Sequence, residues 1–286
     1  MKHFLLITNS FKDEGLTLTK KLKLYIEEKG GSALIFVSNG EEANKAAPKE
    51  SEIPEETECV LVLGGDGTLI RAASALVKSR LPLIGINLGT LGYLCELERK
   101  DAFMAVDLLM ADNCMIEERM MLDGYGIKAE SKVAASVALN DIVIHRTGSL
   151  SVVNLIVYVN GEYLNTFHAD GIILSTPTGS TGYNMSAGGP IVDPKAQMIL
   201  ITPINAHNLN SRSIVIGAED EVMVEIGKRR SQKDEMVEVS FDGNNAVKLE
   251  VGDRFIVHRA TDTAKICKLR KESFLEILRK KMQAYT

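Results

Sequence analysis

Apolar residues in the first third of the chain come in short runs divided by polar, helix-forming stretches. Residues 3–8 (HFLLIT) read as a strand, and residues 17–29 set Leu22, Leu24, Tyr25 and Ile26 in a Lys/Glu-rich segment that predicts a helix ended by Gly30-Gly31. Residues 33–37 form a second apolar run, and 41–58 is an acidic connection with two prolines. Residues 59–63 (CVLVL) are continuously apolar, the pattern of a strand covered on both faces. After the glycines of 64–67 a helix is expected over 68–78, a strand over 83–87 (LIGIN) and a helix over 101–110. Strand and helix alternating at this spacing predict βαβ units and a parallel sheet.

The pattern changes near residue 113. Strand-like runs follow at 132–138, 141–145, 152–159, 172–175, 214–216, 222–226, 237–241 and 254–259. Asn160-Gly161 and Asp242-Gly243 stand at the ends of two of them, the dipeptides that two-residue hairpins need. A mainly β domain is expected, with a last helix over 273–281 (SFLEILRKK). The division expected is an α/β domain of residues 1–112, completed by a C-terminal helix in 268–286, and a β-rich domain of residues 113–267.

Composition narrows the function. The 286 residues are 45 % hydrophobic and 25 % charged, an average globular balance. Thirty-three basic against 38 acidic residues give a net charge of −5, which argues against a general nucleic-acid binder. Cys59, Cys95, Cys114 and Cys267 are widely spaced with no CxxC pair, which suits free thiols in a reducing cytoplasm. The start MKHFLLITNSFKDE has too short an apolar run for a signal peptide. Residues 171–192 carry no charge over 22 positions, nominally a membrane span, but 11 of them are Gly, Ser or Thr and two are proline. No membrane segment is expected.

That uncharged stretch is one of two places where chemistry concentrates. The other is Gly64-Gly65-Asp66-Gly67-Thr68, where a buried strand runs through three glycines and an acid into a helix. Glycines let backbone approach an anion, and N–H groups at the helix start suit phosphate. An acid in such a turn fits a base that takes a proton from an attacking hydroxyl; the bland alternative is a helix cap. In residues 170–190 (DGIILSTPTGSTGYNMSAGGP) hydroxyls and glycines cluster around Tyr183, which can stack on a flat ring, the alternative being a Gly/Ser linker. A P-loop is missing, since Gly227-Lys228 lacks the upstream glycine. The GxGxxA match at 124–129 precedes strand-like sequence and is no dinucleotide fingerprint. The run 228–235 (KRRSQKDE) reads as a solvated hairpin loop, His3 and His258 as structural, and His145 and His168 as unassigned.

Together these motifs resemble the NAD kinases in their bacterial form, over essentially the whole chain. GGDGT identifies only a kinase superfamily; residues 170–191 are far more specific. Asn140-Asp141 stands where the family usually has Asn-Glu, and Gly182 where Ala is common. The resemblance implies a Rossmann-like α/β domain plus a β-rich NAD-binding domain, with the site between them, and phosphorylation of the adenosine ribose 2′-hydroxyl of NAD to give NADP. Asp66 would then be the general base, with Gly64, Gly65, Gly67 and Thr68 at the phosphates and Gly67 also touching NAD. Asn140 and Asp141 would hold ribose hydroxyls, Asp170 the nicotinamide side, and Thr178, Thr181, Tyr183 and Ser186 would line the dinucleotide site. Tyr93 matches a position near the adenine and His207 one near the ligand. ATP or inorganic polyphosphate would be the donor with a divalent metal, Mg²⁺, assigned no protein ligand. A dimer or tetramer is implied. The alternatives are a lipid kinase of the same superfamily and an idle NAD(H) sensor.

Overall fold

The structure is a computed structural model that describes residues 1–38, 48–89, 92–95, 97–148, 152–207, 211–228, 236–270 and 272–283, without the side chains of Asn245 and Ala246. Residues 41–47 of the acidic connection and 229–235 of the basic run lie outside the described residues. The chain divides into two compact units, Met1–Arg119 with Asp262–Thr286, and Met120–Thr261.

The first unit opens β1 (His3–Asn9), α1 (Thr17–Glu28), β2 (Ser32–Ser38), β3 (Cys59–Gly64), α2 (Asp66–Ala75), β4 (Leu83–Asn87), β5 (Leu97–Glu98), α3 (Ala102–Met110) and β6 (Met115–Arg119). In α1 the buried residues are Leu18, Leu22 and Ile26 with Thr19, one face at the four-residue helical repeat. Leu24, expected with them, is 58 % exposed because it stands two residues, over half a turn, from that face. The helix expected over 68–78 starts two residues earlier, because Gly65 O already accepts the N–H groups of Thr68 and Leu69. It ends at Ala75, and a 3-10 turn follows over Val77–Ser79.

The second unit runs β7 (Leu122–Lys128), β8 (Ser131–Ala138), β9 (Asp141–Arg146), β10 (Val153–Val159), β11 (Glu162–Ala169), β12 (Gly171–Ser175), α4 (Tyr183–Ser186), β13 (Met198–Ile204), β14 (Ile214–Gly217), β15 (Val222–Gly227), β16 (Met236–Phe241), β17 (Asn244–Glu250) and β18 (Arg254–Arg259). The chain then returns to the first unit as β19 (Ala264–Lys268) and α5 (Phe274–Gln283).

The first sheet has the order β2-β1-β3-β4-β19-β6, with β5 beside β4; β1 to β4 pair in parallel, and β3, at the centre, is buried along its whole length. Phe4, Leu6, Leu61 and Leu63 pack against Leu22, Ile26, Val106 and Leu109 of α1 and α3. Each such side chain contributes ~1.5–3 kcal/mol by leaving water.

The second unit holds two antiparallel sheets, β11-β10-β15-β18-β7-β8 and β14-β13-β12-β9-β16-β17. Their alternate residues, among them Leu155, Val157, Val224, Phe255, Ile142, Ile172 and Val239, form one core. Asn160 and Gly161 both have positive φ, as do Asp242 and Gly243, and each pair makes its hairpin turn with no further loop residue. On the second sheet's other face Val143, Ile173 and Ile204 pack with Ala187, which carries the segment after β12 over the sheet. That segment and β12 divide the uncharged stretch 171–192. Among the described residues no helix is long and apolar enough to cross a membrane.

Candidate active site

In the first unit β3 delivers the chain into the glycine turn at the carboxyl ends of parallel strands, where open α/β sheets bind ligands. Gly64 is required by Thr68: a Cβ there would lie 2.5 Å from the Thr68 hydroxyl. Thr68 is buried and Gly67 exposed. Asp66 is the first residue of α2 and makes no cap with its side chain. Its carboxylate turns instead to residues 93–95, accepting the N–H groups of Tyr93 (2.6 Å), Leu94 (3.2 Å) and Cys95 (2.9 Å). A Cβ at Gly92 would collide with that carboxylate, so glycine is needed for the approach. Burial, and then the Asp66 charge, push the Cys95 thiol well above its ordinary range. Tyr93 meets Asp66 through its backbone, while the Lys281 ammonium stands 5.5 Å over its ring.

In the second unit the residues group at two ends of β12. At the Ser175 end, the Asn140 carbonyl accepts Thr176 N–H (2.9 Å) and the Ser175 hydroxyl (3.2 Å). The Thr176 hydroxyl donates to Leu139 O (2.7 Å) and accepts Gly179 N–H (3.0 Å). A Cβ at Gly179 would collide with the Asn140 carbonyl, and one at Gly182 would lie 3.4 Å from Asn140 Nδ2 and 3.9 Å from Asp141 Oδ2. Asn140, Asp141 and residues 176–182 are therefore in contact. Asn184 is fully buried: its amide donates to Ser180 O and Pro190 O and its oxygen accepts the Thr202 hydroxyl (2.7 Å). A segment tied in this way is no linker. Thr178 is buried, Thr181 half-buried, Ser186 exposed, and Tyr183 is 46 % exposed.

Asp242, at its hairpin tip, accepts the N–H groups of Leu139, Asn140 and Asp141 at 2.8, 2.8 and 3.1 Å. Burial, and secondly the Asp242 charge, raise the Asp141 carboxyl to about 7. The Asn140 Oδ1 atom is buried without a hydrogen-bond partner among the described residues, an unsatisfied acceptor of a kind that native structures rarely leave unfilled.

At the other end of β12, about 13 Å along the strand, Asp170 accepts Arg146 Nε (2.7 Å) and Asn205 Nδ2 (3.0 Å). Asn205, then Arg146, hold its carboxyl below the usual range. His207 donates its backbone N–H to His168 O and its ring is exposed near Asp170. His168 Nδ1 bonds Asn154 Oδ1 (2.6 Å) and His145 Nδ1 bonds Arg146 O (3.0 Å), which accounts for both structurally.

A glycine turn that carries a fixed carboxylate and a hydroxyl-rich segment with an unsatisfied acceptor are features that phosphoryl transfer to a hydroxyl can use. The pattern of the ATP-NAD kinase N-terminal domain matches residues 4–114, and that of the ATP-NAD kinase C-terminal domain residues 139–269. The chain belongs to the ATP-NAD kinase family. An NAD kinase of Agathobacter rectalis is 57 % identical over the full length of both chains, and one of Lachnospira eligens is 40 % identical over 99 % of this chain and 100 % of its own. Two crystal structures share the fold. Yeast NADH kinase complexed with NADH has a TM-score of 0.86 at 24 % identity, covering 99 % of this chain and 88 % of that one. An NAD kinase from Archaeoglobus fulgidus in complex with ATP has a TM-score of 0.75 at 19 % identity, covering 99 % of each. As a family member the enzyme phosphorylates NAD to NADP. Neither the lipid-kinase nor the sensor reading is favoured by these relatives.

Three features of the candidate site have no clear signature in the sequence. The amides of 93–95 carry no side-chain signature; Gly92 is their only trace. Asp242 reads as a hairpin residue until its carboxylate is seen under residues 139–141. Arg146, which holds Asp170, looks like any strand-end cation.

Proposed function

We propose that Asp66 is the general base of the reaction and that the adenosine ribose 2′-oxygen attacks the terminal phosphorus of ATP. The observation that carries this reading is the Asp66 carboxylate fixed by three amides at the mouth of a glycine turn. The proton passes from the 2′-oxygen to a carboxylate oxygen as the O–P bond forms and the bond to ADP breaks. Gly64, Gly65, Gly67 and Thr68 cradle the donor phosphates, with Gly67 and Tyr93 also meeting NAD. Asn140 Oδ1 and Asp141 accept ribose hydroxyls, Asp170 and His207 hold the far end of the dinucleotide, and Thr178, Thr181, Tyr183 and Ser186 line its path.

A divalent ion fits this arrangement as a passenger of the donor. Among the described residues no group of three His, Cys, Asp or Glu side chains could hold one, and Mg²⁺ in kinases rides largely on the phosphate oxygens of the donor, so it is assigned no protein ligand here. Carried on the donor, Mg²⁺ would neutralise charge on the phosphates. The two expected domains divide the work, 1–112 with the C-terminal helix for phosphate and 113–267 for NAD. The enzyme acts as a homotetramer, on the family resemblance, in the cytoplasm, where its four free thiols stay reduced.

The test is NADP formation with NAD and NADH crossed against ATP and polyphosphate, for the parent and Asp66→Asn. The variant is expected to lose about 10²–10⁴ in kcat with NAD binding retained. It also exchanges an acceptor oxygen for an NH₂ group facing the three amides, costing about 1–3 kcal/mol locally. Turnover near the parent rate would remove Asp66 from the mechanism.

A further inference from the structure

Lys12 is a cation that the mechanism above leaves unused. It follows β1 at the carboxyl edge of the parallel sheet, and its backbone is pinned at both ends. Lys12 N–H and Asp13 N–H donate to Asn9 O (3.1 and 3.0 Å), Phe11 N–H donates to Asn9 Oδ1 (3.0 Å), and Arg99 donates to Lys12 O (3.0 Å). Buried Asp13 then ties the chain to α1, accepting Leu18 N–H, Thr19 N–H and the Thr19 hydroxyl at 3.0, 2.9 and 2.6 Å.

From that rigid base the side chain reaches across to the turns that follow β3 and β4. A Cβ at Gly65 would lie 2.7 Å from Lys12 Nζ, and one at Gly89 3.6 Å away. Glycine at 65 lets the ammonium lie against the backbone of the turn, where a Cβ would push it aside. Among the described residues Lys12 has no ion-pair partner, and the acid of the turn, Asp66, is turned toward the amides of 93–95. Across the turn Arg71 stands 3.7 Å from where a Cβ of Gly67 would be, also without an ion pair among the described residues. Two cations thus flank a glycine turn in a chain whose net charge is −5. A positive charge held over bare backbone matches an anionic ligand, and an ammonium serves phosphate as a point charge.

We infer that Lys12 is a donor-binding residue, its ammonium contacting the terminal phosphates of the nucleoside triphosphate from the side of Gly65. The inference rests on the reading that the donor occupies the turn at 64–67. The contact strengthens as charge shifts toward the leaving phosphate in the transition state.

Lys12→Met and Lys12→Gln are the variants, with Lys12→Arg as the charge-keeping partner and thermal unfolding to check the fold. Expected is a ten- to hundred-fold loss in kcat/KM for ATP, with the KM for NAD within two-fold of the parent and Lys12→Arg retaining at least a third of parental kcat/KM. Inorganic tripolyphosphate should raise the Tm of the parent and of Lys12→Arg, and not that of Lys12→Met. A KM for ATP unchanged in both neutral variants, an equal rise in the KM for NAD, or Lys12→Arg as impaired as Lys12→Met would each overturn the inference. Asp66→Asn separates the two levels. If it abolishes turnover while Lys12→Met does nothing, the site stands and Lys12 falls; if Asp66→Asn turns over normally, the placement of the donor falls.

Discussion

Replacing Asp141 with Asn should stabilise this enzyme in a pH-dependent way. Asp141 is 6 % exposed, its side chain accepts no hydrogen bond among the described residues, and the Asp242 carboxylate lies nearby. Burial, with Asp242 second, raises its carboxyl from 3.8 to about 7. In the unfolded chain it ionises above 3.8, while in the fold it stays protonated to about 7. Between those values the folded state binds more protons, so stability falls as pH rises. At about 1.4 kcal/mol per pH unit the loss reaches about 4 kcal/mol at pH 8, an upper figure for a buried group. Asn never ionises and keeps the shape, so the gain over the parent should be near zero at pH 4 and about 2–4 kcal/mol at pH 8. The chain has no Trp, so urea unfolding followed by far-ultraviolet circular dichroism at both pH values is the assay. Other titrating groups cancel in the difference between parent and variant. A gain independent of pH, or a variant less stable at pH 8, would refute the reasoning. Ribose hydroxyls donated to Asp141 would favour its ionised form, so NAD binding near pH 6.5 should release protons, seen as a buffer-dependent binding enthalpy that Asp141→Asn removes.

Gly92→Ala drives a methyl into the Asp66 carboxylate; kcat should fall at least about ten-fold, with NAD affinity measured by calorimetry little changed. Tyr183→Ala removes a ring that is 46 % exposed and available for stacking; the dissociation constant for NAD should weaken by about 1–3 kcal/mol equivalent, and unchanged affinity with the fold intact would sink that role. Light scattering should report a homo-oligomer, and a fully active monomer would contradict the tetramer.

How much of this could be read in the chain divides by the range of the interaction. The alternation of apolar runs with Lys/Glu-rich helices, the continuous apolar β3, and the Asn-Gly and Asp-Gly turns are local patterns, and each acts through its own residues and their neighbours. So do the glycine turn at 64–67 and the crowded hydroxyls of 175–186, whose composition alone points to a phosphate and a polar ligand. Helix ends were less legible: α2 begins at Asp66 because the Gly65 carbonyl is free to start it, a matter of backbone geometry that propensity does not report.

What tertiary structure decided is which distant groups meet. The strand Ala264–Lys268 enters the first sheet between β4 and β6, because hydrogen bonding there satisfies a backbone edge that the preceding 140 or so residues of the second unit leave open. The Asp66 carboxylate finds its donors 27 to 29 residues away, Asn140 finds Asp242 102 residues along, and Asp170 finds Arg146, 24 residues back, at the end of the neighbouring strand. None of these contacts has a spacing rule, because backbone amides look alike in every sequence and a carboxylate accepts from whichever the fold presents. The sequence determined the elements and the chemistry they carry; the burial of Asp141, the clamp on Asp66 and the reach of Lys12 exist only once the sheets have formed.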